Sequence, residues 1–293
     1  MIKCFLTGAT GQLGVELQHT CPPDVELKGV SRDALDICQD QVVSEVVGRC
    51  RPDIIINCAA YTAVDRAEQE SEHAFAVNAR GAANIAKAGV KCGARVIHIS
   101  TDFVFAGTGP VPYRPDDATG PVNLYGASKL EGEKRVFDIT RGSCLILRTA
   151  WLYSTHGRNF VNTMLRLMKE RDFLRVVDDQ IGTPTWTNGL ARAIWKCVTI
   201  PDMHGIHHWT DAGVASWYDF AVAIAEEGIA LKLLDHSITI LPVPTKEYPT
   251  PARRPACSVI DTSLTRRVLG LTPPHWRVAL RQMLQEYKER SNE

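Results

Sequence analysis

Gly8-Ala9-Thr10-Gly11-Gln12-Leu13-Gly14 follows the apolar run Ile2–Thr7 and leads into a helix-forming stretch, Gln12–Thr20. This is the order of a strand, a glycine turn and a helix. Glycines at such a turn permit a tight bend, close backbone approach to a pyrophosphate and close packing of helix on sheet. The helix N-terminus then presents free N–H groups and the positive end of its dipole to an anion. The spacing is Gly-x-x-Gly-x-x-Gly rather than the commoner Gly-x-Gly-x-x-Gly, so a plain strand–turn–helix is the alternative. The segments that follow favour dinucleotide binding by Gly8, Gly11, Gln12, Leu13 and Gly14.

Working outward, strand-like and helix-like segments alternate. Val25–Val30 reads as a strand, Gln39–Cys50 as a helix, and 53–57, with Ile54-Ile55-Ile56, as a strand buried on both faces. Ser71–Cys92 is alanine-rich with helical spacing, Arg95–Ser100 is a strand, Tyr125–Ile139 a helix and Cys144–Thr149 a strand. This alternation predicts an α/β fold, a Rossmann-like doubly wound parallel sheet. The second half is less regular. Phe160–Arg171, Asn188–Val198, Ser263–Leu269 and His275–Glu289 read as helices, as does Ser216–Glu227 with a Ser cap; Ile206–Trp209 and Ser237–Val243 read as strands. A proline-rich loop spans 244–258 and carries Arg253-Arg254. Long loops inside compact domains are more often functional than idle. We expect residues 1–150 to form the dinucleotide-binding domain, with about 178–210 returning to it, and 151–293 to form mainly a smaller α/β substrate-binding lobe.

Composition bounds the partners. The 293 residues carry 33 Lys plus Arg and 33 Asp plus Glu, a net charge of zero. Nucleic acids and anionic membranes are usually met by a basic excess, so neither is expected as a partner. No apolar run approaches the roughly 18 residues of a membrane span, and the apolar N-terminus reaches Gly8 too soon for a signal-peptide core. Nine scattered cysteines, without Cys-x-x-Cys, read as reduced thiols of a cytoplasmic protein and not as zinc ligands.

The chemistry-bearing residues come next in order. Ser100-Thr101-Asp102 closes a strand, and strand carboxyl ends face the ligand crevice of such a sheet. A hydroxyl there can donate to a substrate carbonyl. Tyr125 and Lys129, in Tyr125-Gly126-Ala127-Ser128-Lys129, share one helix face. A neighbouring ammonium is expected to lower the Tyr125 pKa from about 10 and make the phenol a usable proton donor or acceptor. At the end of the second strand, where an acid often binds the ribose, stands Arg32. An arginine there can pair with a 2′-phosphate, which favours NADPH and leaves NADH open; an exposed loop cation is the alternative.

Together the glycine loop, Ser-Thr-Asp and Tyr-x-x-x-Lys resemble the extended short-chain dehydrogenase/reductase family. Further stretches are similar to its branch acting on dTDP-linked sugars: Cys58–Glu68, Ser100–Gly107, Arg148–Tyr153, Asp179–Thr185 and Tyr248–Pro255. The resemblance runs from Ile2 to the last helix. It implies NADPH-dependent reduction of the C4 ketone of a dTDP-linked 4-keto-6-deoxy sugar. It further implies that Asp36 and Ile37 sit by the adenine and that Ala60, Tyr61 and Thr62 line the cofactor path. Tyr125 would protonate the C4 oxygen, with Lys129 tuning it and Thr101 bonding the same oxygen. Asp102 and Trp151 would lie against the sugar, and Arg253 and Arg254 would approach the diphosphate. A core Trp and a solvated arginine pair are the plain alternatives.

Some members are implied to bridge two subunits through Mg²⁺. Glu16 stands near one acidic position, but Asn188 stands where a second acid is needed, which argues against the metal here. Monomer and homodimer both stay open. His98 reads as a satisfied sheet residue, His204, His207 and His208 as strand packing, and Glu131, Glu133, Lys134 and Arg135 as a solvated helix face. Two other functions stay open: another nucleotide-sugar epimerase or reductase of this fold, and a non-catalytic dinucleotide-binding regulatory subunit of methionine adenosyltransferase.

Overall fold

Three consecutive isoleucines in a four-residue strand are all buried, because that strand lies in the middle of a sheet with apolar layers on both sides. The computed structural model describes residues 1–109 and 112–291. Its central sheet has six strands: β1 (Ile2–Thr7), β2 (Val25–Val30), β3 (Ile54–Asn57), β4 (Arg95–Thr101), β5 (Leu145–Thr149) and β6 (Gly205–His208). Their order is β2-β1-β3-β4-β5-β6, and every neighbouring pair is parallel. The fold is therefore the doubly wound α/β sheet expected from the sequence. The order reverses between β1 and β3, and ligand crevices form outside strand carboxyl ends at such a point.

Alternating side chains feed two layers. Leu6, Ile56, Ile97 and Leu147 pack with Leu13 and Leu17 of the helix Gln12–His19 and with Leu190 and Ile194 of the helix Thr187–Val198. Phe5 and Ile55 point the other way, to Val43 and Val47 of Asp40–Cys50 and Ile85 of Ala82–Cys92. Val136 of the helix Leu124–Ile139 packs with Val96 and Ile146 on that side. Polar side chains cross the carboxyl end of the sheet: Thr7 Oγ1 donates to Asn57 Oδ1 at 2.6 Å, and Asn57 Nδ2 meets His98 Nδ1 at 3.0 Å.

A second core joins the helices Phe160–Glu170, Trp217–Ala230 and Trp276–Ser291 through Met164, Leu165, Phe220, Ile224, Leu280 and Met283. Ser216 caps Trp217–Ala230 in a reciprocal box with Asp219. Beside this core Phe173–Val177 pairs in parallel with Thr239–Val243.

Three sequence expectations change. Phe173–Val177 is a strand that the pattern did not indicate. The helix expected over Ser71–Cys92 is interrupted, running α over Ser71–Phe75, π over Ala76–Gly81 and α over Ala82–Cys92. Glu133 is not part of a solvated face: it is buried and pairs bidentately with buried Arg148, Nε to Oε1 at 2.9 Å and Nη2 to Oε2 at 2.7 Å. Two fully buried charges persist only where each satisfies the other, so this pair ties the Tyr–Lys helix to β5. All nine cysteines are free thiols, and His207 and His208 are buried in β6. No helix among the described residues is long and apolar enough to cross a membrane.

Candidate active site

The turn after β1 needs its glycines. Gly8 has φ +69°, and a Cβ there would stand 2.8 Å from the Ala59 backbone nitrogen. A Cβ on Gly14 would stand 2.1 Å from the Gly8 carbonyl oxygen. Gly11 caps the first helix with no side-chain hydrogen bond, so first-turn N–H groups are left for an external anion.

This turn forms one end of a cavity of about 650 Å³ at the carboxyl ends of the strands, within the usual range for small-molecule sites. The sequence-derived candidates Gly8, Gly11, Gln12, Leu13 and Gly14 line it, as do Arg32, Asp36, Ile37, Ala60, Tyr61 and Thr62. Thr101, Asp102, Tyr125, Lys129 and Trp151 line its far end. Arg253 and Arg254 lie elsewhere, on a second cavity with Asp179 and Thr245. Arg254 is already paired with Asp65, Nη2 to Oδ2 at 2.8 Å and Nη1 to Oδ1 at 3.0 Å, while Arg253 is exposed.

Tyr125 and Lys129 stand one turn apart on Leu124–Ile139 and face the end of β4. Asn123 caps this helix, its Oδ1 accepting from Gly126 N at 2.7 Å, and its Nδ2 donates to the Arg253 carbonyl at 2.8 Å. Gly126 lets the helix sit on the Ser-Thr-Asp turn, since a Cβ there would be 2.2 Å from the Phe103 carbonyl oxygen. Lys129 is buried and donates to the Ile99 carbonyl at 2.7 Å. Burial pulls its pKa down to about 8, with Glu133 opposing.

The expected lowering of the Tyr125 pKa is not what the geometry gives. Burial pushes it up to about 12, the Thr101 hydroxyl pulls it down, and Asp102 adds to the rise. Desolvation of a phenolate outweighs the hydrogen bond, and the Lys129 charge is directed at Ile99. Asp102 is itself lifted to about 6 by burial, and its Oδ1 accepts from Thr101 Oγ1 at 3.0 Å.

Trp151 faces the same end. Its backbone takes a left-handed φ of 47°, and its ring stacks on Trp217.

The family model described as RmlD substrate binding domain matches residues 2–289. The chain belongs to this family. It is 44% identical to a dTDP-4-dehydrorhamnose reductase of Escherichia coli K12 over 297 residues, covering 97% of this chain and 98% of the relative. Among solved structures, a Bacillus anthracis dTDP-4-dehydrorhamnose reductase in complex with NADP superposes with a TM-score of 0.92 at 39% identity, over 98% of this chain and 100% of that one. A reductase ortholog from Clostridium acetobutylicum gives 0.91 at 38%, with the same coverage.

Within this RmlD-family chain, the Mg²⁺ question turns on two residues. Glu16 is buried and its Oε1 accepts from Asn188 Nδ2 at 2.6 Å, while Arg192 Nε donates to Asn188 Oδ1 at 2.8 Å. One carboxylate beside an amide and a guanidinium does not fit a Mg²⁺ donor set. Among the described residues no three His, Cys, Asp or Glu group together to hold a metal.

Sequence reasoning missed Asn78. It is buried in the π segment, accepts from Tyr61 N at 2.8 Å, and donates to Tyr61 O at 3.0 Å and to Ser128 Oγ at 2.9 Å. It thus fixes the loop at Tyr61 against the Tyr–Lys helix. Single-turn π segments often mark functional sites. The one available signal was an amide within an alanine-rich helix.

Proposed function

We propose that this chain reduces the C4 ketone of a dTDP-linked 4-keto-6-deoxy-L-sugar with NADPH, giving dTDP-L-rhamnose, the last step of that sugar nucleotide's synthesis. The observation that carries the reading is one cavity with an anion-binding glycine turn at one end and Thr101, Tyr125 and Lys129 at the other. The names of the relatives support the same reading over the epimerase and regulatory-subunit alternatives. The glycine turn, the uncapped first helical turn and Arg32 suit a phosphorylated dinucleotide. When bound, the reduced nicotinamide supplies a hydride to the sugar carbon.

The residues of the chain handle the proton and the geometry. With a pKa near 12, Tyr125 holds its proton at neutral pH. It delivers that proton to the C4 oxygen, whose alkoxide is the stronger base. The Thr101 hydroxyl, whose one proton goes to Asp102 Oδ1 in the structure, would turn to donate to the same oxygen and fix its position. Lys129, charged below about pH 8 and held by the Ile99 carbonyl, would hold the nicotinamide ribose one turn from Tyr125. Trp151 packs against the sugar, and Asp102 bonds it through the turn it shares with Thr101. Arg253 and Arg254 border the neighbouring cavity, where a diphosphate would find a charge-assisted donor in exposed Arg253 and would have to compete with Asp65 for Arg254. Residues 1–150 with about 178–210 serve the cofactor, and 151–293 mainly serve the sugar nucleotide. Reduced thiols and consumption of NADPH suit the cytoplasm.

The test is to incubate the protein with NADPH and the dTDP keto-sugar. One NADPH consumed for each dTDP-L-rhamnose formed supports the reading. Isomerised sugar without net loss of NADPH would replace it with an epimerase.

A further inference from the structure

One cation on the cofactor cavity has no role in the scheme above. Arg158 lines that cavity together with Gly11, Gln12 and Leu13, although it lies far away in sequence, just before the helix Phe160–Glu170 of the second core. The glycine turn itself, 8–14, contains no Lys or Arg. Arg32 is beside Asp36, whose carboxyl it helps hold down, and Lys129 is bound to the Ile99 carbonyl. Among the described residues the Arg158 guanidinium has no ion-pair or hydrogen-bond partner.

The backbone that carries Arg158 is built onto the phosphate turn. Ser154 Oγ accepts from His156 N at 2.9 Å and lies 2.8 Å from the His156 carbonyl oxygen. Asn159 Nδ2 donates to Ser154 O at 2.8 Å and to Gln12 Oε1 at 3.0 Å. Gln12 Nε2 returns a bond to the Arg158 carbonyl at 3.5 Å. Gly157, with φ +69°, passes close over Gln12, since a Cβ there would stand 3.4 Å from Gln12 Cγ. The main chain at Arg158 is thus fixed at the anion-binding end, and its flexible head is left to reach a ligand.

We propose that Arg158 is the counter-cation for the dinucleotide pyrophosphate, reaching from the second lobe across the phosphate turn. This rests on the dinucleotide-dependent reading of the same cavity. A planar guanidinium can grip two phosphate oxygens at once, and the helix N-terminus supplies the opposing donors. Cofactor binding then joins the two lobes through Arg158.

The test is calorimetric titration of the full chain, wild type, Arg158→Ala and Arg158→Lys, with NADPH, adenosine 2′-monophosphate and dTDP in turn. Arg158 is exposed, so all three should unfold at the same temperature. Arg158→Ala should weaken NADPH roughly tenfold to a hundredfold, the scale of a charged hydrogen bond. It should leave adenosine 2′-monophosphate unchanged, because that ligand has no pyrophosphate. Arg158→Lys should recover part of the loss. Undiminished NADPH affinity in Arg158→Ala would overturn the proposal, as would a larger loss for dTDP or an equal loss for adenosine 2′-monophosphate. Failure of the wild-type chain to bind NADPH would overturn the reductase reading itself, and this inference with it.

Discussion

Trp151 lies flat on Trp217, with ring centroids 3.6 Å apart and planes 4° from parallel. Gly182 also lies against the indole: a Cβ there would stand 2.3 Å from Trp151 Cε2. Gly182 pairs with Ala215, two residues before Trp217. A non-glycine residue in the left-handed region costs on the order of 1 kcal/mol or more, so the surroundings must hold Trp151 there. Gly182→Ala should displace the indole and lower kcat/KM for the sugar by about tenfold or more, the scale set by misplaced positioning groups. NADPH affinity, measured by fluorescence titration, should stay the same. Unchanged sugar kinetics would show that the stack does not shape the site.

Lys129 should set the alkaline limb of the pH profile. Its pKa is pulled down to about 8, with burial the main cause and Glu133 the main opposing one. Its charge is present below that value and lost above it, whereas Tyr125 keeps its proton throughout. The kcat/KM profile, which reports the free enzyme, should therefore fall as the pH rises through about 8. Glu133→Gln should move the limb to lower pH. It should also destabilise the fold by about 3–5 kcal/mol, because Arg148 is left buried without its partner; denaturant unfolding measures this.

Asp211 should make stability fall with pH. Burial lifts its carboxyl from 3.8 to about 7, against the pull of the Trp186 N–H donated to Oδ2 at 2.9 Å. Between those values the folded chain holds a proton that the unfolded chain has released. The stabilisation is whole below about pH 3.8 and is lost as pH rises through about 7. Asp102, lifted to about 6, acts with the same sign. Asp211→Asn removes the titration. It should flatten the decline in unfolding free energy between roughly pH 4 and pH 7 by a few kcal/mol. An unaltered slope would place the titration elsewhere.

Arg32 should set the choice of dinucleotide. It is exposed and lines the cavity, and on the proposed reading the 2′-phosphate of NADPH would meet it. Arg32→Ala should weaken NADPH by about tenfold or more, as for one charged hydrogen bond, and leave NADH nearly unaffected. Equal losses for both cofactors would count against a 2′-phosphate contact.

Local patterns carried much of this site. The run Ile2–Gly14 is a strand, turn and helix within thirteen consecutive residues, and Tyr125 and Lys129 share a face by helical spacing alone. Glu133 extends that same spacing by another turn, yet Glu131, Lys134 and Arg135 disguise it as surface. Only the fold brings Arg148 against it. The strand Phe173–Val177 has exposed Phe173 and Arg175, and its partner lies more than sixty residues on, so hydropathy gave it no clear signature. The raised Tyr125 pKa was equally hidden, because spacing shows that a lysine is near but not how much water both groups lose. Arg158 carries no local pattern that marks it; only the fold, through Gln12 and Asn159, brings it beside the glycine turn.

On the proposed reading Tyr125 gives the proton to the C4 oxygen of a dTDP-linked keto-sugar while NADPH is consumed. The direct measurement is single-turnover NADPH oxidation with that sugar by the wild-type chain and by Tyr125→Phe, with NADPH binding titrated for both. Loss of the phenolic proton should slow turnover by roughly a hundredfold to ten-thousandfold while NADPH binds as before. Turnover by Tyr125→Phe at the wild-type rate would contradict it.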